Sequence, residues 1–259
     1  MPLQSPQSPP SASTMEEFLV SPIMSAKAIL ADLDGTLISG QTVLPHVDEL
    51  MEQAGDKIWL VSNNSTQTAQ TMSQHLSALG LSIAPERIFL AGETALRALA
   101  GRHPAATIAF FGETPLRELA ISLGLTIHRG TNAANFAFLA REEAFTFADL
   151  SRLLGLLYTG TELHLSNPDP IYPNANGTIG AETGAIFAAL KAGLPDLQAE
   201  CLGKPSAHLI ELALKTSGVS PHDAVVIGDT NATDGEAARA AGVPFILIAR
   251  PQICTEVTP

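Results

Sequence analysis

The sequence is poor in charge, and in positive charge above all. Only 15% of its 259 residues are Asp, Glu, Lys or Arg, and 14 basic residues face 26 acidic ones, for a formal net charge of −12. No run of Lys and Arg exists to neutralise a phosphate backbone, which argues against a nucleic-acid surface. A small phosphorylated ligand stays compatible, provided that a metal ion and one or two cations sit beside it. Cysteine is nearly absent. Cys201 and Cys254 make no metal or redox motif, and a reduced, cytoplasmic chain is the simplest reading. No apolar run approaches the length of a membrane span, so no membrane partner is expected. Met1 to Ser13 is rich in Pro, Ser and Gln and holds neither a basic residue nor an apolar segment. It therefore does not read as a secretory signal, and residues 1–25 are expected to form a disordered tail. There is no internal repeat.

What the chain does have is apolar content, 46%, enough for a substantial core. Its length is long for one ordinary domain and short for two large ones. The run Ala28-Ile29-Leu30-Ala31 reads as a buried strand and stops at Asp32-Leu33-Asp34-Gly35-Thr36. Residues two apart at a strand end point the same way, so both carboxylates can face one site. Like charges that close need a cation, or one of them must hold a proton. A phosphate-transfer site supplies both conditions, with Mg²⁺ on oxygen ligands and one carboxyl as general acid. Alone, the motif is equally a strand end with two solvated aspartates.

Taken in order, Ile38 to Pro45 reads as a loop and His46 to Ala54 as a helix. Residues 57–61 form a second buried strand ending on Ser62-Asn63-Asn64-Ser65. A helix carrying Ala69, Met72, Leu76 and Leu79 follows, then a strand over 87–91 and a helix from Glu93 to Ala100. Strands alternating with helices predict βαβ units and a parallel sheet. The middle, about 105–198, reads as a second, smaller α/β unit. Its strands fall at 107–111, 136–139 and 162–165, its helices at 115–123, 146–158 and 185–192, and a turn-rich loop follows Ser166. From Cys201 the first pattern resumes. Gly203-Lys204-Pro205-Ser206 reads as a helix start, residues 224–227 as a strand ending on Gly228-Asp229 and running to Asp234, Ala237 to Ala241 as part of a helix, and 245–248 as the last strand.

Asp32/Asp34, Ser62/Asn63/Asn64 and Asp229/Asp234 each follow the carboxyl end of a predicted strand, the edge where open α/β sheets bind ligands. Lys204, at a helix start, can reach the same edge. Each cluster alone has an ordinary reading: a helix cap for Ser62-Asn63-Asn64, turn and cap residues for Asp229 and Asp234, a surface lysine for Lys204. Together they are hard to obtain by chance.

The set D-L-D-G-T, V-S-N-N, G-K-P and G-D-x-x-x-T-D, in this order, resembles the haloacid dehalogenase-like phosphatases. The long insert resembles their class II α/β cap. S-N-P-D-P-I-Y-P-N followed by G-T-I-G-A-E-T-G-A resembles the branch of NagD, p-nitrophenylphosphatase and the pyridoxal and phosphoglycolate phosphatases. The resemblance implies an α/β fold: a Rossmann-like catalytic core over 26–104 and 199–259 with a cap inserted over 105–198. It implies a Mg²⁺-dependent phosphomonoester hydrolase acting on a small phosphorylated metabolite, with a homodimer through the cap as a possible assembly. Asp32 matches the nucleophile and Asp34 the general acid; Ser62, Asn63, Asn64 and Lys204 match the phosphate-binding set. Asp32, the Asp34 carbonyl and Asp229 match the metal ligands, supported by Asp234. Within the loop Asn167 to Asn174, Asn167, Asp169 and Tyr172 are the expected substrate contacts, with the Tyr172 ring open for stacking. The alternative is a weakly catalytic phosphometabolite-binding protein of the same fold, although no motif is lost. The chain departs from the pattern at Gly235, expected to loosen the metal loop, at Leu139-Ala140-Arg141-Glu142 in place of a glycine-and-aspartate loop, and in ending soon after the last strand.

Overall fold

A computed structural model describes residues 26–45, 47–130, 134–173 and 178–248. The expected tail over 1–25, position 46, Asn174, Cys254 and the C-terminal end lie outside the described residues. β1 (Ala28–Ala31) leads to β2 (Ile38–Ser39) and β3 (Thr42–Val43), then α1 (Val47–Ala54), β4 (Ile58–Ser62), α2 (Ala69–Ala78), β5 (Ile88–Leu90) and α3 (Ala91–Arg102). Next come β6 (Thr107–Phe111), α4 (Thr114–Ser122), β7 (Thr126–His128), β8 (Phe136–Leu139), α5 (Phe147–Tyr158) and β9 (Glu162–Leu165). β10 (Ile171–Pro173), β11 (Ile179–Ala181), α6 (Thr183–Gly193) and β12 (Ala199–Cys201) complete the insert. The chain returns through α7 (His208–Ser217), β13 (Ala224–Gly228), a π-helical turn Asn231–Gly235, α8 (Glu236–Ala240) and β14 (Phe245–Leu247).

Two five-stranded parallel sheets result, ordered β14-β13-β1-β4-β5 and β12-β9-β8-β6-β7. All four side chains of β1 are buried, as an apolar run covered on both faces requires. One face packs Ile29, Leu60 and Ile227 against Leu50, Met72 and Leu76 of α1 and α2; the other packs Leu30 and Val226 against Leu209, Ile210 and Ala213 of α7. From β1 the chain proceeds to β4 and β5 on one side and later to β13 and β14 on the other. Its loops diverge there, which opens a crevice at the carboxyl edge. Register brings the acidic loops side by side: Ala31 pairs with Ile227 and with Leu60, so Asp32 emerges between the ends of β13 and β4.

Several expectations need correction. Ile38 to Pro45 is not a plain loop, because buried Ile38 anchors the small antiparallel β2–β3 hairpin. The helix predicted from Glu93 begins at Ala91, and its buried Leu96, Leu99 and Ala100 pack with Ile108, Leu116 and Phe138 of the insert. β12 likewise pairs with β9, so both flanks of the core taken from sequence lend an element to the second sheet. No helix starts at Gly203. α7 begins at His208, and residues 203–207 form turns whose backbone Asn63 holds, as shown below. The turn-rich stretch after Ser166 contains the antiparallel β10–β11 hairpin, which places Tyr172 on a strand. No helix among the described residues is long and apolar enough to cross a membrane.

Candidate active site

Lys204 sits at the centre of the carboxyl edge. Its ammonium, 3% exposed as a residue, donates to Asp32 Oδ1 at 2.6 Å, Asp234 Oδ1 at 2.6 Å and the Val61 carbonyl at 3.0 Å. All three of its protons are thereby engaged. Two glycines permit this packing. A Cβ on Gly228 would fall 2.4 Å from the Asp234 carboxyl carbon, and one on Gly203 would fall 2.8 Å from the Ser166 carbonyl oxygen. Asp234 also accepts from the Thr230 N–H at 3.1 Å. Gly235 does not loosen this loop: it is buried, and Asn231 Oδ1 stands where its Cβ would be, 2.3 Å away.

Burial pushes the Asp32 carboxyl up to about 8; Lys204 pulls it down, and Asp234 and Asp229 push it up again. Asp34 is two residues on, at the entry to a turn in which Gly35 takes φ +85°, a value that favours glycine. Its side chain opens on the cleft. The surrounding walls strip enough water from it to raise its pKa, against the pull of Lys204. Ser62 is buried, and its Oγ accepts the Asn64 N–H at 3.1 Å, which leaves its own proton available to a ligand.

Asn63 ties three segments together. Its Oδ1 accepts from the Lys204 N–H at 2.7 Å, and its Nδ2 donates to the Lys204 carbonyl at 2.9 Å and to Asp169 Oδ2 at 2.9 Å. The Asn64 carboxamide oxygen, expected in the phosphate-binding set, serves its own loop. It accepts from the Thr66 and Gln67 N–H groups at 3.1 and 3.0 Å and closes the loop. Asn167 needs a larger correction, since it does not reach a substrate: fully buried, it donates to the Asn63 carbonyl at 3.0 Å and to Glu182. Asp169 and Tyr172 do border the cleft, a space of about 1120 Å³ between the two sheets. The Tyr172 ring is not open for stacking, because the Arg141 guanidinium lies 4.0 Å from its centroid.

Sequence reasoning missed Ser65, Glu182 and Arg141 as site residues. Ser65 donates to Glu182 Oε1 at 2.9 Å, and the same oxygen accepts from the Thr183 N–H and hydroxyl. Glu182 belongs to the quoted G-A-E-T-G-A phrase, and Arg141 showed only as a departure. Carboxylate oxygens of Asp32, Asp229 and Asp234 lie within 4.8 Å of one another. Three carboxylates around one ammonium leave an excess of negative charge, which adds to burial in raising the pKa of Asp32. An all-oxygen donor set of this kind fits a hard divalent cation.

Residues 29–126 match the family model described as haloacid dehalogenase-like hydrolase, and residues 201–252 a second, HAD-hydrolase-like model. The chain is 28% identical to a dihydroxyacetone phosphatase of Corynebacterium glutamicum, over 85% of this chain and 79% of that one. The solved p-nitrophenyl phosphatase of Archaeoglobus fulgidus superposes with a TM-score of 0.78 at 27% identity, covering 87% of this chain and 89% of that one. A glycerol phosphate phosphatase of Mycobacterium tuberculosis, solved in complex with magnesium, shares the fold with a TM-score of 0.78 at 24% identity, over 92% of this chain and 69% of that one. The two matches leave the rest of the insert between them and together cover more than half of the chain, which belongs to the haloacid dehalogenase-like hydrolases.

Proposed function

We propose that the protein is a Mg²⁺-dependent phosphomonoester hydrolase that works on a small phosphorylated metabolite through a phospho-Asp32 intermediate. One observation carries the reading: a single buried ammonium, Lys204, joins Asp32 to Asp234, with Asp229 close enough to complete a cation site. An Asp32 oxygen attacks phosphorus as the bond to the leaving oxygen breaks, and Asp34 gives its proton to that oxygen. Asp34, now a carboxylate, takes a proton from the water that attacks the phosphoaspartate, and the bond from phosphorus to Asp32 breaks to release phosphate. Lys204 holds Asp32 against the like-charged phosphoryl group, and the Ser62 hydroxyl donates to a phosphoryl oxygen. Asp32 and Asp229 with the Asp34 carbonyl would hold Mg²⁺, which would supply the remaining neutralising charge.

Desolvation between the cleft walls raises the Asp34 pKa, the direction that favours a carboxyl able to give a proton to the leaving group. The names of the relatives, which include dihydroxyacetone phosphatase and D-glycerol 3-phosphate phosphatase, support a small substrate, as does a cleft walled by the insert. The same reading puts the protein in the cytoplasm, where Cys201, whose thiol burial pushes up to about 11, stays reduced and unreactive. A dimer through the cap would cover Phe147 and Tyr158, both more than 80% exposed on α5. The test is turnover of p-nitrophenyl phosphate: activity with Mg²⁺ that EDTA abolishes is expected, and binding of phosphometabolites without turnover would replace this reading with that of a binding protein.

A further inference from the structure

We propose that Arg141 is a specificity-determining residue that selects phosphomonoesters whose leaving group carries a second anionic group, a carboxylate or a further phosphoryl. The inference rests on the phosphatase reading and adds the class of substrate. Arg141 lies two residues past β8, at the carboxyl edge of the insert's sheet, and borders the same cleft as Asp34. Its positive charge already acts on the Asp34 carboxyl.

Three features make it a receptor for an anion. The first is its mounting. The guanidinium lies over the Tyr172 ring at 4.0 Å, and that ring lies against the backbone of the facing strand, where a Cβ on Gly180 would be 2.3 Å away. Packed against that backbone, the aromatic ring is a platform that holds Arg141 in place before substrate arrives.

The second is an unpaired donor. Arg141 Nε is buried and has no hydrogen-bond partner among the described residues. The nearest carboxylate, Glu182 Oε2, stands at 3.7 Å, beyond hydrogen-bonding reach. Glu182 is held by its other oxygen, which accepts from Ser65 and Thr183, and its ion pair with Arg141 leaves the Nε donor unmet. A planar guanidinium with an unmet donor matches a carboxylate or a phosphoryl group.

The third is the charge of the cleft. Asp32, Asp34, Asp169, Glu182, Asp229 and Asp234 border it and repel an anionic leaving group. Lys204 has no proton free for the leaving group, because Asp32, Asp234 and the Val61 carbonyl engage it. Arg141 is the other Lys or Arg on the described lining, and it stands on the insert's wall, where the leaving group would lie.

The test compares ligands that differ only in the second charge. Calorimetry with Mg²⁺ present would measure 3-phosphonopropionate, which carries a carboxylate, against propylphosphonate, which does not, and methylenebisphosphonate as the phosphoryl arm. The intact protein should bind at least one doubly anionic ligand about tenfold or more tightly than propylphosphonate, as one charge-assisted hydrogen bond implies. Arg141→Ala should erase that preference, Arg141→Lys should restore part of it, and all proteins should melt at similar temperatures. Equal affinities in the intact protein, or a preference that survives Arg141→Ala, would overturn the proposal. These ligands are not hydrolysed, so a failure of the hydrolase reading would show separately as absent turnover of p-nitrophenyl phosphate.

Discussion

Replacing Lys204 with Met keeps most of the side chain's volume and removes its charge. The ammonium joins two carboxylates at 2.6 Å and a carbonyl at 3.0 Å in a place without solvent. Removing one partner of a buried ion pair costs about 3–5 kcal/mol, because the remaining charge has no compensation. Here the cost depends on pH, and the direction follows from Asp32. Its carboxyl is already pushed up to about 8 in the folded protein, against about 3.9 unfolded. A carboxyl raised by folding holds its proton in the native state, so it destabilises the fold progressively as pH climbs from the unfolded value through the folded one. Without Lys204 the folded value rises further and the penalty extends to higher pH. The gap between Lys204→Met and the intact protein should therefore be small at pH 4 and widest near pH 8–9. Urea unfolding in EDTA at both pH values measures it. Turnover at neutral pH should fall by about a hundredfold or more, since a preorganised cation at the phosphoryl group is lost. A gap that does not change with pH, or a variant that keeps its turnover, would refute the reasoning.

Three further predictions follow from the same geometry. Asp229→Asn should raise the Mg²⁺ concentration for half-maximal activity about tenfold or more, as the ion loses a charged ligand; an unchanged metal titration would mean that Asp229 is not a ligand. Mg²⁺ affinity should weaken by up to about tenfold as pH falls from 8 to 7, because a proton on Asp32 competes with the metal. Calorimetry in buffers of different ionisation heat would reveal the released proton, and a pH-independent affinity would count against Asp32 as ligand. Asn63→Leu removes the bonds that hold the Lys204 backbone and Asp169, and should lower stability by about 1–3 kcal/mol while reducing kcat more than it changes Mg²⁺ dependence. An unaltered melting temperature would show those bonds to be dispensable.

The strands that carry the site were legible because burial on both faces leaves a plain mark. Ala28–Ala31 and Ala224–Gly228 are apolar throughout or end on glycine, and the polar clusters mark their carboxyl ends. Short strands whose residues are partly exposed left no such mark. Thr126–His128 and the β10–β11 hairpin are examples, and so the sequence reading turned Tyr172 into a loop residue. Asn167 was misread for another reason: its partner Asn63 is 104 residues away, and nothing local distinguishes a buried amide from one offered to a ligand. The allegiance of α3 was hidden in the same way, since its apolar face is equally fit for either sheet until Phe110 and Phe138 supply the surface it meets. Pro205 pointed to a first helical turn, whereas Asn63 holds both backbone groups of Lys204 in another conformation. Arg141 announced itself only as a residue out of pattern; its unpaired Nε is a fact of packing.

The account stands on a covalent phosphoryl group at Asp32, and rapid-quench kinetics of Asp34→Asn with p-nitrophenyl phosphate tests it most directly. This leaving group needs little protonation, so attack by Asp32 should proceed, while hydrolysis of the phosphoaspartate lacks its base. A burst of about one nitrophenolate per protein is expected, with acid-stable, hydroxylamine-labile phosphate that peptide mapping places on Asp32. Full turnover without a burst, or label on any residue other than Asp32, would contradict it.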